Sequence, residues 1–437
     1  MKKKIISILI CMLLIAIAVP VVESFQYSTM NTTIPSITQK NMMGRWTKTQ
    51  KFHARDGTYY EYFGHSVSLD GNTALIASLG VDDNGDAIHS VYVFTRTKTT
   101  WTQQTKLSAS DGAPYDNFGF SVSLSGDTAL IGACADDDNG NESGSAYVFT
   151  RNGTTWIQQA KLLASDGAEG DLFGSTVSLS GNTALIGADC DDDGGFLSGS
   201  AYVFSRTGIT WTQQQKLTAS DSAAWEWFGR SVSLDGNTAL IGTGAESAYV
   251  FTRTGTIWAQ QAKLLASDGE ADDAFGWSVS LDGDTALIGA ELDTNDNGIG
   301  AGSAYVFTRT GATWTQQAKL LASHGTNLDN FGEAISLDGD TALIGAPAYM
   351  QIVIGIGSVY IFTRSGTTWT QHQKLRTLDN APYNSYGSSV SLDNNIALIG
   401  APFDDDKGDQ SGSAYVFMKD GKPFSSFLPF FSVLSSP

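Results

Sequence analysis

A tryptophan-centred segment recurs seven times along this chain of 437 residues, and no other feature constrains the fold as strongly. The copy at 156–162 reads Trp-Ile-Gln-Gln-Ala-Lys-Leu. Each copy precedes a Phe-Gly or Tyr-Gly pair, then a Thr-Ala-Leu-Ile-Gly-Ala element and an Ala-Tyr-Val-Phe element, with small changes. Such a period predicts a repeat architecture, in which each unit buries its apolar face against its neighbours. The copies begin at Trp46, Trp101, Trp156, Trp211, Trp258, Trp314 and Trp369.

Each repeat, usually about 55 residues long, predicts four short strands, which we label A to D. Strand A, Phe-Gly-x-Ser-Val-Ser-Leu, alternates apolar and small residues, and strand B, Thr-Ala-Leu-Ile-Gly-Ala, is an apolar run. Strand C, Ser-Ala-Tyr-Val-Phe-Thr-Arg, is rich in β-formers, and strand D, Trp-Thr-Gln-Gln-x-Lys-Leu, is amphipathic, as suits an outer edge. Asp-Gly or Ser-Gly between A and B is a hairpin signal. The predicted fold is all-β: a seven-bladed β-propeller of four-stranded antiparallel blades.

The phase of the repeat at the two ends predicts how the ring closes. The chain enters the repeats on a D strand, at Trp46, and leaves them on a C strand, at 413–417. We therefore expect the strand at Trp46 to pair into the last blade and remove the open seam, which would otherwise expose sheet edges. The predicted propeller spans residues 44–420.

These repeats resemble the FG-GAP repeat family. The likeness rests on the Phe-Gly of strand A, the Gly-Ala-Pro after strand B at 345–347 and 400–402, and the whole repeat from Trp46 to Phe417. That family includes the head propellers of integrin α subunits and many secreted microbial proteins, so the resemblance implies an extracellular binding or adhesion module. Integrin-type blades carry an Asp-x-Asp-x-Asp-Gly calcium loop between strands A and B. The turn here is short, as at 234–238, so the resemblance does not carry calcium to that position.

The chain ends and the charge point to the compartment and the partners. Residues 1–24 combine Lys2, Lys3 and Lys4 with a long apolar run, which predicts either a secretory signal peptide or an uncleaved N-terminal anchor. Residues 25–43 form a polar linker, and 421–437 form an apolar tail. We expect a secreted or cell-surface protein that touches the membrane only through an uncleaved N-terminal segment. The net charge of -19 argues against nucleic acid as a partner.

Antiparallel blades place the B–C loops and the D–A crossings on one face, here called the loop face. This face has the longer loops and most of the acid, so binding is expected there. Two of its loops show alternate oxygen ligands before a glycine, which suits calcium. The alternative is a solvated turn in which Asp and Asn bond their own backbone. The candidate calcium ligands are Asp189, Asp191 and Asp193, and Asp293, Asn295 and Asn297.

Positions that vary between blades are the candidates for ligand contacts. The residue after each Phe-Gly or Tyr-Gly varies freely in size and charge, so it either lines a ligand site or is simply exposed. The fourth blade has a shortened B–C loop beside Trp225 and Trp227, and we predict a notch with aromatic walls that suits sugar rings or cations. The alternative is packing of both rings between blades. The candidate ligand residues are Trp225, Trp227, Arg230, Trp277, His65, Phe120 and Glu333, with Ser175 and Ser388 completing the variable position.

No catalytic motif stands out in the chain. The five histidines fall at unrelated repeat positions, and no nucleophile elbow, zinc-protease helix or phosphate loop appears. The predicted function is an exported non-enzymatic binding or adhesion module. It presents an acidic loop face to a protein or glycan ligand, with calcium as the candidate cofactor. Two alternatives remain: an exported hydrolase or lectin-like enzyme domain that uses loop-face carboxylates, and a structural component of the cell envelope.

Overall fold

The computed structural model describes residues 44–56, 59–81, 87–348, 357–377 and 383–420. The predicted signal or anchor at 1–24, the linker at 25–43 and the tail at 421–437 lie outside these ranges. Every regular element in the described ranges is a β-strand. The described chain accordingly contains no helix that could cross a membrane.

The strands group into seven blades, numbered along the chain. The chain starts with β1 (Trp46–Phe52). Blades one to four contain β2 (Val67–Asp70), β3 (Thr73–Val81), β4 (Ala87–Thr97), β5 (Thr100–Leu107), β6 (Phe118–Ser125), β7 (Thr128–Ala133), β8 (Ser145–Asn152), β9 (Thr155–Leu162), β10 (Thr176–Ser180), β11 (Thr183–Ala188), β12 (Ser200–Thr207), β13 (Thr210–Leu217), β14 (Ser231–Asp235), β15 (Thr238–Gly242), β16 (Ala248–Thr254) and β17 (Ile257–Leu264). Blades five to seven contain β18 (Phe275–Asp282), β19 (Thr285–Ala290), β20 (Ser303–Thr310), β21 (Thr313–Leu320), β22 (Ile335–Asp338), β23 (Thr341–Ala346), β24 (Ser358–Ser365), β25 (Thr368–Leu375), β26 (Ser389–Asp393), β27 (Ile396–Ala401) and β28 (Ser413–Lys419).

Each blade is a four-stranded antiparallel sheet in sequence order, such as β2-β3-β4-β5, and the seventh has the order β1-β28-β27-β26. Strand β1 pairs with β28 from Trp46 opposite Lys419 to Phe52 opposite Ala414. The predicted all-β propeller of seven four-stranded blades is confirmed, and so is its closure by the N-terminal strand. The first and last strands of the propeller thus share one sheet, which leaves no seam between them.

The inner strands are held together by a ring of hydrogen bonds from backbone to serine. The Leu124 N–H donates to the Ser68 Oγ of the preceding blade at 3.0 Å, and the Leu179 N–H donates to the Ser123 Oγ at 2.9 Å. The same bond occurs in all seven blades, at 2.9–3.0 Å, and the bond from Leu69 to Ser391 closes the ring. An inner strand is a sheet edge with unpaired N–H groups, so each serine satisfies a group that water would otherwise have to reach.

The hydrophobic core lies between blades. Trp211 of blade three, for example, shares a cluster with Leu130 and Val148 of blade two. Its indole Nε1–H donates to the Gln159 Oε1 of blade two at 2.9 Å, and the Arg206 guanidinium stacks on its ring at 5.2 Å. The repeat tryptophans, and the arginines that end the C strands on the face opposite the loop face, therefore serve blade packing. For the tryptophans, this is the role that recurrence in every blade predicts.

Trp46 tests the closure of the ring. It is 1% exposed and packs between blades six and seven with Leu343 and Phe417, while its backbone N–H donates to Gln373 Oε1 at 3.0 Å. We expect Trp46→Ala to lower the free energy of unfolding by about 3–5 kcal/mol, because a buried indole is replaced by a cavity. Urea unfolding followed by circular dichroism measures the change.

The control is Ile157→Ala on an outer strand of blade two, where the side chain is 59% exposed. Its effect should stay within about 0.5 kcal/mol. Equal unfolding midpoints for the two variants would contradict the role of Trp46 in the closure.

Candidate functional site

The loop face is built by hydrogen bonds between neighbouring blades. The crossing into blade four lies beside the B–C loop of blade three: the Trp225 N–H donates to the Phe196 carbonyl at 2.9 Å, and the Trp227 N–H donates to the Leu197 carbonyl at 3.0 Å. Trp225 and Trp227 have φ values of 70° and 50°, in the left-handed region that bulky residues rarely adopt. The bonds to the neighbouring loop hold this strained backbone, which brings three aromatic side chains together.

Phe196, Trp225 and Trp227 form what we call the aromatic cluster. The Phe196 and Trp225 ring centroids are 4.8 Å apart with the rings edge to face, and Trp225 and Trp227 are 6.0 Å apart in the same arrangement. Phe196 is 57% exposed and Trp225 is 51% exposed. Trp227 is half-buried and lies over Gly244 of the shortened loop, where an added Cβ would come within 2.6 Å of its ring. Of the two predicted tryptophans, Trp225 therefore faces solvent, and Trp227 supports it.

The shortened loop of blade four has an open groove of about 290 Å³ beside it, lined by Glu246, Leu265 and Glu270 among others. Glu246 accepts hydrogen bonds from the backbone N–H groups of Ala274 and Phe275, at 2.8 and 3.1 Å. Burial raises the pKa of the Glu246 carboxyl. The groove lies between the shortened loop and the residues that follow β17, and its lining does not include Trp225 or Trp227. The notch with aromatic walls therefore stays a prediction.

The variable residues that follow Phe-Gly or Tyr-Gly lie at the loop-face ends of the inner strands, and we call them the channel ring. The Arg230 guanidinium stacks on the Trp277 ring at 4.1 Å, and its Nη1 lies 3.3 Å from the Asp189 Oδ2. Trp277 donates a hydrogen bond to Glu333. One side of the ring is therefore a charged group that links blades three to six. Its members are His65, Phe120, Ser175, Arg230, Trp277, Glu333 and Ser388.

The other side of the channel ring is neutral. His65 lies 5.4 Å from the Phe120 ring, and burial lowers the pKa of His65 to about 4, with a smaller contribution from His89. Three polar atoms of channel-ring side chains are buried and have no hydrogen-bond partner among the described residues. The same holds for one carboxylate oxygen beside Arg230. Buried polar atoms without a protein partner are uncommon in folded proteins, so this part of the ring is distinct from the repeated scaffold. These atoms are His65 Nδ1, Ser175 Oγ, Ser388 Oγ and Asp189 Oδ1.

In the first predicted calcium loop, a lysine engages the carboxylates. Lys216 Nζ lies 2.7 Å from Asp191 Oδ2 and 2.6 Å from Asp193 Oδ2, and the Tyr202 hydroxyl donates to Asp191 at 2.8 Å. The Asp193 N–H donates to Asp191 Oδ1 at 3.0 Å, which makes an Asx turn. Burial alone would lower the pKa of Lys216, but hydrogen bonds to Asp191 and Asp193 outweigh burial and raise it.

The second predicted calcium loop follows the same plan. Asp293 is 2% exposed and lies 3.0 Å from the Lys319 Nζ, and the Asn295 amide donates to Asp293 Oδ2 at 3.1 Å. The Asn297 N–H donates to the Asn295 Oδ1 at 2.9 Å. Within the described ranges, no three His, Cys, Asp or Glu side chains are grouped so that they could hold a metal ion. These contacts match the alternative of a turn that bonds its own backbone, and calcium binding stays a prediction.

Comparison with known protein families identifies the family to which the repeat belongs. The FG-GAP repeat model matches seven consecutive segments that together cover more than half of the chain: residues 46–94, 101–149, 156–204, 211–251, 258–307, 314–362 and 369–417. The chain belongs to the FG-GAP repeat family. The resemblance inferred from the sequence is thereby confirmed, and the propeller is a repeat module of the kind used for binding.

More distant comparisons add nothing on function. No curated protein is significantly similar to this FG-GAP chain. The computationally designed Ika8 protein is 12% identical with a TM-score of 0.46, over 83% of this chain and 98% of that one. Sqt1 of Saccharomyces cerevisiae is 12% identical with a TM-score of 0.45, over 83% of this chain and 84% of that one. Because both TM-scores lie below 0.5, neither likeness bears on what this protein binds.

Lys216 allows a direct test of the acidic loops of this FG-GAP protein. We expect Lys216→Met to lower the free energy of unfolding by about 2–4 kcal/mol, because the variant leaves the buried Asp191 carboxylate without its counter-ion. Lys374→Met is the matched control, since Lys374 holds the same repeat position but forms no ion pair with a described residue. Urea unfolding of both variants measures the difference, and equal losses would contradict this account.

Calcium is tested on the same variants. With the ammonium removed, the loop at Asp189, Asp191 and Asp193 presents its carboxylates to a hard cation. We expect millimolar calcium to raise the melting temperature of the wild type slightly, and that of Lys216→Met more, because the ion binds only the folded loop. Melting curves that are identical with calcium and with chelator in both proteins would remove the calcium prediction.

The buried Glu333 carboxyl predicts how the stability of the protein depends on pH. Burial raises the pKa of its carboxyl to about 7 from the ordinary 4.5, while the charge of Arg230 and the hydrogen bond from Trp277 act in the opposite direction. The folded state thus holds this proton at pH values at which the unfolded chain has lost it. The contribution of Glu333 to stability is full below about pH 4.5 and is lost as the pH rises through about 7.

We therefore expect the wild type to lose stability relative to Glu333→Gln between pH 4.5 and 8, as measured by urea midpoints. Replacement of the exposed Glu169 by Gln serves as the control and should follow the wild type. Parallel curves for the wild type and Glu333→Gln would show that the Glu333 carboxyl titrates as it does in water.

Proposed function

We propose that this protein is an exported, non-enzymatic binding or adhesion module that presents its loop face to a protein or glycan ligand. The observation that carries the proposal is the aromatic cluster, in which Phe196 and Trp225 are more than half exposed on a strained, hydrogen-bonded backbone. Exposed aromatic rings on a rigid support are typical anchors of binding sites, because they bury large apolar areas with little loss of side-chain freedom.

Neighbouring features support a recognition role for the same face. Tyr115 and Tyr383 occupy the repeat position of Trp225 in other blades and are 54% and 48% exposed. The arginines of the opposite face are engaged, as with Arg151, whose guanidinium binds Asp127 and stacks on Trp156. The loop face therefore carries exposed aromatic side chains, whereas arginines of the opposite face such as Arg151 are engaged in contacts within the scaffold.

The charges of the loop face favour a neutral or basic ligand. The buried aspartates Asp136, Asp191 and Asp404 are paired with lysines, whereas their neighbours Asp137 and Asp192 are exposed. A neutral glycan or a basic protein surface meets no repulsion there. FG-GAP repeats are typical of extracellular proteins, which agrees with the export predicted from residues 1–24.

The absence of enzymatic activity is part of the proposal. A glycosidase needs one carboxyl group as acid and a second as base or nucleophile. Asp191 and Asp193, a representative pair on the loop face, both bind Lys216. We expect no turnover on panels of glycans and phosphoesters. Turnover that disappears on substitution of a loop-face carboxylate would favour the hydrolase alternative.

The aromatic cluster provides the decisive test of ligand binding. Glycan arrays and a panel of purified extracellular proteins identify the ligand of the wild type. We expect a double variant, Phe196→Ala with Trp225→Ala, to lose about 1–3 kcal/mol of binding free energy, since aromatic anchors dominate such interfaces. Its melting temperature should stay near that of the wild type, because both rings are exposed.

The matched control is Tyr115→Ala, which removes an exposed ring at the same repeat position in blade two. Normal binding by the double variant, or an equal loss in the control, would contradict the assignment of the cluster. The envelope alternative predicts instead a protein that is abundant in the cell wall and binds no added ligand.

A further inference from the structure

A tyrosine and a lysine meet an aspartate in six of the seven blades. In blade four, the Lys263 ammonium lies 5.1 Å from the centre of the Tyr249 ring. Asp221, from the crossing into that blade, accepts a hydrogen bond from the Tyr249 hydroxyl at 2.9 Å. Its second carboxylate oxygen lies 2.7 Å from the Lys263 Nζ. One carboxylate thus satisfies both donors. The other five blades satisfy their tyrosine and lysine with one or more aspartates in the same way.

Blade six keeps the two donors but lacks the acid. The Lys374 ammonium lies 4.6 Å from the centre of the Tyr360 ring. His324 stands at the crossing position that Asp221 holds in blade four, and the B–C position of Asp191 is occupied in the sequence by Tyr349. The donors of blade six are therefore those of the other blades, without either of the aspartates that the repeat supplies.

The backbone of the crossing into blade six is unchanged, so only the side chain differs. The Gly325 N–H donates to the Ala322 carbonyl at 3.3 Å, as the Gly167 N–H donates to the Ala164 carbonyl at 3.2 Å in blade three. The Ser323 N–H donates to Gln371 Oε1 at 2.9 Å, a bond that also recurs in blade three. The backbone that carries the aspartate in other blades is thus preserved in blade six, with His324 at that position.

Both donors of blade six are left without an acceptor among the described residues. The Tyr360 hydroxyl is buried and donates to no acceptor among the described residues, and Tyr360 as a whole is 0% exposed. The Ser358 side chain lies beside it as a donor, as Ser247 lies beside Tyr249 in blade four. Lys374 is half-buried and forms no ion pair within the described ranges. Burial, together with the nearby charge of Arg376, lowers the pKa of Lys374 to about 8, while Asp329 acts in the opposite direction. A buried hydroxyl without a partner costs about 1–3 kcal/mol, so an acceptor is favoured at this place.

We propose that Tyr360 and Lys374 bind a carboxylate that a ligand supplies, namely the side chain of an aspartate in an acidic peptide segment. The ligand is an aspartate because this pair of donors holds an aspartate in every other blade. A peptide is favoured because the repeat delivers that aspartate on a short turn of sequence Ala-Ser-Asp-Gly, as at 164–167. Lys374 and Arg376 bring two basic side chains to this part of an acidic face, beside the carboxylate of Asp329. The site is separate from the aromatic cluster and does not depend on the function proposed for it.

The test uses the full chain and the blocked peptide acetyl-Ala-Ser-Asp-Gly-amide, with binding followed by ligand-observed NMR. We expect the wild type to bind this peptide at least tenfold more tightly than the peptide with Asn in place of Asp. His324→Asp supplies the internal carboxylate found in blade four, and should weaken peptide binding at least tenfold while the protein stays folded. Tyr360→Phe, which removes only the hydroxyl, should weaken it severalfold.

Matched controls separate this site from the rest of the molecule. Tyr249→Phe removes the equivalent hydroxyl from a blade that has its own aspartate, and should leave peptide binding unchanged. Trp225→Ala should also leave it unchanged, so failure of the aromatic-cluster proposal and failure of this one are distinguishable. Acetate at the same concentration should not displace the peptide, since the turn that carries the aspartate contributes to binding.

Chemical labelling of lysine gives a second readout that does not depend on affinity. We expect Lys374 to react with an amine-directed acetylating reagent at pH 8 at least tenfold faster in the wild type than in His324→Asp, as followed by peptide mass mapping. Peptide binding that survives in His324→Asp, equal labelling of Lys374 in both proteins, or displacement of the peptide by acetate would each overturn the proposal.

Discussion

The ring of hydrogen bonds from leucine N–H groups to serine Oγ atoms is the interaction on which the rest of the propeller depends. Each inner strand is the edge of its own sheet, and its free N–H groups face the next blade rather than a further strand. A serine of the preceding blade accepts one of these bonds in every blade. Since no blade satisfies its own inner edge, the set of bonds is complete only when blade one meets blade seven, through Leu69 and Ser391. Strand β1 supports the same closure from the outside, as the outer strand of blade seven.

Several of the aspartates that make the chain acidic stabilise the blades of the propeller and are not free to bind a ligand. Asp136, Asp191 and Asp293 are buried between a tyrosine hydroxyl and a lysine ammonium. Buried ion pairs of this kind are costly to break, because one partner then remains charged in a poorly solvated place. A cation such as calcium would have to compete with an ammonium already in position.

Differences between blades therefore carry the functional information. Blade four lacks part of a loop, and Trp225 stands beside Phe196 of the neighbouring blade. Blade six lacks its aspartates and leaves Tyr360 and Lys374 without a carboxylate partner in the described chain. The channel ring combines a neutral side, at His65 and Phe120, with a charged side. Each of these departures sits on a scaffold that is otherwise repeated, so each can vary without loss of the fold.

The sequence by itself determined the strands, the number of blades, the closure at Trp46 and the packing of the repeat tryptophans. Those features follow from local alternation, from turn residues and from a period that recurs in every unit. The tertiary structure alone decided which side chains meet. Phe196 and Trp225 belong to different repeats and come together only because the loop of one blade bonds the crossing into the next. Likewise, Lys216 reaches Asp166 and Asp191 across strands. Contacts between residues that are distant in sequence depend on how the blades twist and stack. A local sequence pattern does not specify that arrangement.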